Sequence, residues 1–416
     1  MKYPREAAIR VIGSVLGSGL HLDDAMQAES AAMKDGALRA WMNEVCSGTL
    51  RWKGRLDEAI DSGALRKKPS GWLRRVLYLA AYQLVAQDRT NPGDVVSETV
   101  DLVKAAEGEP PAKFANALLR NISRNAKKWS SMKYDERMTL ETSARWASMP
   151  EWMWLKLHAD HGLEWAREYA AVSLERPDTW IRSRKDPGDK FDPHALRGAY
   201  RARAASGSPD SWPGFEDGAF FVQDVSSQIL VEDVSEELKK TGIKPCRALD
   251  LCASPGGKSI GMAWNGIEVT ASDRDGRRLE LLQRSVERMS RDGTVKIKVV
   301  AKDSLLSMAP FDFVWVDAPC SGSGVIRRHP DIRWIKKETD LKGIYSTQQE
   351  LLHEGWSRVR SGGLMMYSVC SIFKDEGVRA VDKAALPGAA RIREWLLAPH
   401  KSPHGDGFWG VLLKKS

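Results

Sequence analysis

The sequence is sparing with the groups that build covalent or metal frameworks. Its 416 residues hold five cysteines and eight histidines, with no CxxC pair and no Cys/His spacing suited to zinc. A disulfide scaffold and a structural zinc site are therefore not expected. No apolar run approaches the ~20 residues needed to cross a bilayer. The opening Met1-Lys2-Tyr3-Pro4-Arg5 lacks the apolar core of a secretory signal. These absences lead to the expectation of a cytoplasmic, metal-free protein whose free thiols stay reduced. A phosphate-binding P-loop is missing as well. Gly257-Lys258-Ser259 superficially fits one, but Cys252 occupies the position where the motif requires its first glycine.

What the chain does have is enough apolar material for real cores. Hydrophobic residues make up 42% and charged residues 28%, which argues against general disorder, and the length suggests two or three compact units. The net charge of +8 is modest. Its basic residues recur in short clusters at Arg66-Lys67-Lys68, Arg74-Arg75, Lys127-Lys128, Arg182/Arg184/Lys185, Arg197/Arg201/Arg203 and Arg327-Arg328. Separated clusters suit a surface that tracks a nucleic-acid backbone better than one long basic tail does.

Three regions differ in rhythm. Residues 1–135 read as helical: Leu73, Val76, Leu77, Ala80 and Leu84 share one helical face, and Phe114, Leu118 and Ile122 repeat the spacing after Pro110-Pro111. From 136 to 215 the pattern weakens into helices marked by Trp152, Trp154 and Trp165 and a short strand at Thr179–Arg182, an α+β connecting region closed by a Gly/Pro-rich stretch. From 216 to 416, strand-length apolar runs at 248–251, 269–272, 295–300, 313–316 and 364–367 alternate with helical segments. That alternation predicts an α/β domain with a parallel, doubly wound sheet, whose ligands sit beyond the carboxyl ends of the strands.

The unusual residues fall at those ends. Asp250-Leu251-Cys252-Ala253-Ser254-Pro255-Gly256-Gly257-Lys258 follows the first run and leads into a helix, so its glycines can bring backbone N–H groups close to a ligand. Asp273 ends the next run, at the distance from a Gly-rich loop where an acid accepts ribose hydroxyls. Asp303 follows the third run and could accept an adenine amine. Together these ends suit an adenosine-containing ligand such as S-adenosylmethionine or NAD. Asp317-Ala318-Pro319-Cys320 follows the fourth run, and Cys370 ends the fifth. Two cysteines at neighbouring ligand-side strand ends have no evident use in a dehydrogenase. Cys46 and Cys246 read as inert core.

These segments, in this order, resemble the motifs of RNA 5-methylcytidine methyltransferases. The likeness extends through Phe221–Gln228, Gly324–Trp334 and Asp406–Trp409. The helical start resembles a NusB-like RNA-binding domain at Ser47–Arg51, Ala81–Leu84 and Phe114–Arg120. The resemblance implies a Rossmann-like S-adenosylmethionine-dependent domain behind an all-α NusB-like one. It implies that Cys370 is the nucleophile, that Cys320 helps release the product, and that Asp317 is the acid at the cytosine ring. Asp250, Cys252, Ala253, Ser254, Pro255, Gly256, Gly257, Lys258, Asp273, Arg278, Asp303 and Asp317 would form the cofactor side. Pro319, Arg327, Arg328 and His329 would face the RNA. The implied partner is 16S ribosomal RNA, free or in an early small-subunit particle, met by a monomer.

Sequence logic alone leaves Cys320 and Cys370 interchangeable as nucleophile. Transfer RNA stands as the alternative substrate, and an RNA-binding scaffold without activity as the rival from another class. Five positions depart from the family pattern: Ser254 stands where Ala is common, Arg274 where an apolar residue is usual, Lys374 and Gly377 replace a Pro and an Asn, and Ser183 replaces an Asn. None removes a catalytic group.

Overall fold

The apolar face running from Leu73 to Leu84 becomes the packed side of helix Gly71–Ala86, where Val76, Leu77 and Ala80 are buried. In this computed structural model the described residues are all but 1, 32, 65–67, 88–89, 204–208, 243–245, 292, 294 and 402–404. Arg66 and Lys67 of the basic clusters lie outside the described residues, as does part of the Gly/Pro-rich stretch. Packing divides the chain into two units, the first made of 1–176 and 326–338, the second of 177–325 and 339–416. The sequence suggested breaks near 135 and 215. The helices between 140 and 172 pack with the N-terminal unit, and the short strands after 177 belong to the second.

The first unit is all helical. Asp35 caps helix Gly36–Gly63 by accepting from the N–H groups of Ala37 and Leu38, and Asn91 caps Pro92–Glu107 through Gly93 N–H. Pro110 and Pro111 sit in the first turn of Glu109–Arg124, where a missing N–H costs nothing. Gly108, at φ +88°, makes the sharp corner between these two helices. Ile9, Ile12, Met42, Leu50, Leu77 and Leu119 meet in the core.

Segment 326–338 is built into this same unit. Arg333 is fully buried, and its guanidinium donates to the carbonyls of Ser173 (2.6 Å) and Ser148 (2.9 Å). Trp334 Nε1 donates to Leu50 O at 2.7 Å, and Arg51 Nε donates to Arg327 O at 3.0 Å. Backbone carbonyls without ladder partners thus receive buried guanidinium donors, which is how an irregular segment meets its hydrogen-bond demand.

The second unit carries two sheets. Strands β1 (Trp180–Ser183), β2 (Phe191–Pro193), β3 (Ala199–Ala202) and β4 (Phe220–Val222) form a small antiparallel sheet in the order β2-β3-β1-β4. Ser183 is buried there, and its hydroxyl is used by the carbonyls of Lys185 and Ala219. The large sheet contains β5 (Arg247–Asp250), β6 (Glu268–Asp273), β7 (Ile297–Ala301), β8 (Phe311–Asp317), β9 (Val359–Val369), β10 (Ala389–Leu397) and β11 (Phe408–Lys415). Their order is β10-β11-β9-β8-β5-β6-β7.

The five strands expected from the sequence are parallel, as anticipated. The sheet as a whole is mixed, because β11 runs antiparallel to both β9 and β10. Segment 398–407 between β10 and β11 is shorter than the dozen or more residues a parallel crossover requires, so these strands form a hairpin. Phe313, Trp315, Met366 and Leu412 are fully buried within the sheet's packing. Its strands β5, β6, β8 and β9 all end on one edge, and that edge carries the candidate residues.

Candidate active site

The loop after β5 is held by its neighbours rather than by its own side chains. Leu251 N–H donates to Trp315 O (3.0 Å) and Ala253 N–H to Ser272 O (2.9 Å). Ser254 N–H donates to the Asp273 carboxylate at 3.1 Å. Arg278 bridges the same two strand ends, with Nε on Asp273 (3.0 Å) and its terminal nitrogen on Ser254 O (3.1 Å). Gly256 turns the chain at φ +110°, and a Cβ on Gly257 would stand 2.9 Å from Gln223 Nε2. Gly256 needs glycine for its backbone shape, and a side chain at Gly257 would press on the end of Gln223.

The group expected here is S-adenosylmethionine, and the residues fit it. Asp250 is fully buried; Ser259 Oγ donates to its Oδ2 at 2.6 Å, while its Oδ1 has no protein partner. Burial pushes its carboxyl up to about 7, against the opposing hydrogen bond from Ser259. Ser272 Oγ is likewise buried without a partner, at the end of β6 beside Asp273. Asp273 receives three donors, which leaves acceptor capacity on a carboxylate able to take about four. Unused buried acceptors beside a glycine turn are what a cationic, hydroxyl-bearing adenosine ligand satisfies. Arg274, Pro319 and Asp303 are exposed, and Cys252 is half-buried with its thiol pushed up by burial.

Lys258 Nζ bonds Asp317 Oδ2 at 2.6 Å. Burial alone would lower the Lys258 ammonium, but the charge and hydrogen bond of Asp317 hold it above its usual range. On its other oxygen Asp317 accepts from Ser368 Oγ at 2.6 Å, and Ser368 in turn accepts from Trp315 Nε1 at 2.9 Å. The Asp317 side chain remains about a quarter exposed (27%), so it is fixed in place yet reachable.

The two cysteines meet. Cys320 Sγ lies 3.2 Å from Cys370 Sγ. Their hydrogen bond, then burial, then the charge of Cys370 all push the Cys320 thiol well above its ordinary range. Gly324 N–H donates to Cys370 O (3.0 Å), and Gly407 N–H donates to Gly324 O (2.8 Å). A Cβ on Gly324 would fall 2.2 Å from Gly407 O, so a side chain there would pry the loops apart. Cys46 and Cys246 are buried, with thiols raised by desolvation, as inert core cysteines should be.

Sequence reasoning did not find the polar network beneath this pair: Ser321, Ser371, Gln348 and Glu376. One signal was available. Each cysteine is followed directly by serine, in Cys320-Ser321 and Cys370-Ser371. Arg327, Arg328 and His329 belong to the helical unit. There Arg327 is buried, and His329 stands 3.8 Å from Asp23. Among the described residues no cluster of metal-binding side chains occurs, and no helix is long and apolar enough to cross a membrane.

Two family models match the chain in order. The NusB family covers residues 2–124, and the model described as 16S rRNA methyltransferase RsmB/F covers 244–395. A relative from Pectobacterium atrosepticum, named ribosomal RNA small subunit methyltransferase B, is 29% identical over 99% of this chain and 98% of its own length. The crystal structure of PH0851 shares the fold with a TM-score of 0.72 and 20% identity, over 99% of this chain and 98% of that one. NSun6 from Pyrococcus horikoshii with SFG superposes with a TM-score of 0.55 and 16% identity, over 64% of this chain and 98% of its own. With both models matched and relatives aligned nearly end to end, the chain belongs to the RNA 5-methylcytidine methyltransferase family, in its RsmB/F branch with a NusB-family helical part.

Proposed function

We propose that this enzyme methylates carbon 5 of a cytidine in 16S ribosomal RNA, with Cys370 as the nucleophile. The observation that carries the reading is the cysteine pair at the ends of β8 and β9, beside the Lys258–Asp317 ion pair. S-adenosylmethionine, when bound, supplies an activated methyl group at its sulfonium centre.

Carbon 5 of cytosine is too weak a nucleophile to take that methyl unaided. Addition of the Cys370 thiolate at carbon 6 turns carbon 5 into an enamine-like centre. In this scheme Asp317 is the acid that brings a proton to ring nitrogen 3, and its ion pair with Lys258 orients that carboxyl. After transfer the carbon 5 proton leaves to water, and the electrons of that C–H bond re-form the carbon 5–carbon 6 double bond as the carbon 6–sulfur bond breaks to return the Cys370 thiolate. Cys320, 3.2 Å from that sulfur, is suited to assist this release. Asp250, Asp273 and the 252–258 loop support the adenosine end, and Arg278 braces them. The family resemblance is what assigns Arg328 and His329, half-buried in the helical unit, to the RNA side. A base stacked in a helix cannot reach a half-buried thiol at a strand end, so the target is single-stranded or flipped out, at a cost of about a few kcal/mol. The enzyme works in the cytoplasm as a monomer.

The test uses RNA from a deletion strain with purified enzyme. Cys370→Ser should abolish both methylation and covalent complex, while Cys320→Ser should accumulate enzyme–RNA adduct. The reverse pattern would overturn the assignment, and methylation of transfer RNA alone would overturn the substrate.

A further inference from the structure

Beneath the two cysteines lies one carboxylate that the methyl-transfer scheme does not use. Glu376 is fully buried (0% exposed) six residues beyond Cys370. Its Oε1 accepts from Ser321 N–H (2.7 Å) and from Gln348 Nε2 (3.3 Å). Its Oε2 accepts from Ser321 Oγ (2.5 Å) and from Ser371 Oγ (2.5 Å). Ser321 follows Cys320, and Ser371 follows Cys370. A single carboxylate thus grips the residue next to each sulfur.

The surroundings extend that grip. Gln348 Nε2 also donates to Pro319 O at 3.0 Å, holding the other side of Cys320. Ser323 Oγ lies 2.8 Å from Ser371 Oγ and accepts from Ile372 N–H at 3.0 Å, a second tie between the two loops. Tyr367 Oη donates to the backbone carbonyl of Glu376 at 2.9 Å, which anchors the carboxylate's own turn to β9. Burying a carboxylate is unfavourable unless its acceptors are filled, and here four donors fill them. No purely local need of the turn explains donors drawn from both cysteine loops and from helix Leu341–Arg358.

We infer that Glu376 is a positioning residue, whose carboxylate sets the separation of the Cys320 and Cys370 sulfurs by binding the residue after each. It touches no reacting atom and acts through Ser321 and Ser371. The inference rests on the reading of both cysteines as reacting groups, because only a reaction that uses both requires their spacing to be held.

The spacing can be read without any methyl transfer. Diamide takes two electrons and two protons from the thiol pair, leaving a Cys320–Cys370 disulfide and the reduced hydrazine, and the rate reports how often the sulfurs meet. In Glu376→Gln one acceptor oxygen becomes an NH₂ group and the shared grip is lost. Disulfide formation should slow by about tenfold, and kcat should fall by about tenfold or more while KM for RNA and S-adenosylmethionine stays within about twofold. A folded Glu376→Gln protein with the wild-type disulfide rate and kcat overturns the inference. Should that variant fail to fold, Ser321→Ala and Ser371→Ala each remove one hydroxyl arm and leave the carboxylate in place. Both slowing the disulfide supports the inference, and neither doing so overturns it. Wild-type protein that methylates no RNA, yet whose disulfide rate responds to these substitutions, would sink the functional reading while leaving the role of Glu376 in sulfur spacing intact.

Discussion

Cys320 and Cys370 are fifty residues apart in sequence, yet their sulfurs lie 3.2 Å apart. The cause is strand pairing. β8 and β9 are parallel neighbours in a register that sets Asp317 opposite Ser368, so each strand delivers its cysteine to the same edge within a few residues of its end. The hydrogen bond to Cys370, together with burial, raises the Cys320 thiol well above its ordinary range.

That asymmetry has a chemical readout. A thiol held in its protonated form reacts slowly, because only the thiolate is nucleophilic. Iodoacetamide at neutral pH should modify Cys370 before Cys320, by about tenfold or more in rate, as followed by peptide mass spectrometry. Faster labelling of Cys320 would overturn the claim that burial and its neighbour suppress that thiol.

Asp250 links the cofactor loop to pH. Its carboxyl is raised by burial from 3.8 to about 7 in the folded protein. A folded value above the unfolded one means that the native state binds the proton more tightly, so this group's contribution to stability falls as pH rises from about 4 to about 7. Wild-type protein should gain more in Tm than Asp250→Asn on moving from pH 8 to pH 6. Equal gains in the two proteins would show that Asp250 does not carry the effect.

Gly377 packs against an aromatic ring. A Cβ at this position would stand 2.8 Å from Cδ2 of the Trp409 indole, so the missing side chain makes room for the ring. Gly377→Asn should destabilise the protein by about 1–3 kcal/mol in urea unfolding, as overpacking does. It should also lower kcat, since Gly377 adjoins Glu376. An unchanged midpoint would mean that Trp409 gives way freely.

Arg333 tests the helical unit separately. Its guanidinium is fully buried and feeds backbone carbonyls, and burial lowers it to about 9. Arg333→Met keeps much of the volume but orphans the carbonyls of Ser148 and Ser173, at about 1–3 kcal/mol each. The NusB-like unit should then lose protection in amide hydrogen exchange around residues 148 and 173. Native protection there would remove Arg333 from the structural account.

Much of this was legible in the residue order. The apolar periods of Leu73–Leu84 and of the runs at 248–251, 269–272 and 313–316 determined helices and parallel strands, because burying one face requires those spacings. The strand-end position of Asp250, Asp273, Asp317, Cys320 and Cys370 followed from the same reading, since connected strands in such sheets carry ligands at one edge. The antiparallel β11 was not legible, because a strand's own pattern does not state its neighbour's direction. Nor was the placement of segment 326–338 in the helical unit, which depends on carbonyls of Ser148 and Ser173 far away in the chain. Glu376 was the least visible of all. Read alone it is one acid in a loop, and only folding, which collects donors from Ser321, Ser371 and Gln348 around it, makes it the tie between two sulfurs. Sequence by itself determined which groups this protein has and on which edge they end; tertiary packing decided which of them share a proton, because hydrogen bonds depend on distances that pattern does not carry.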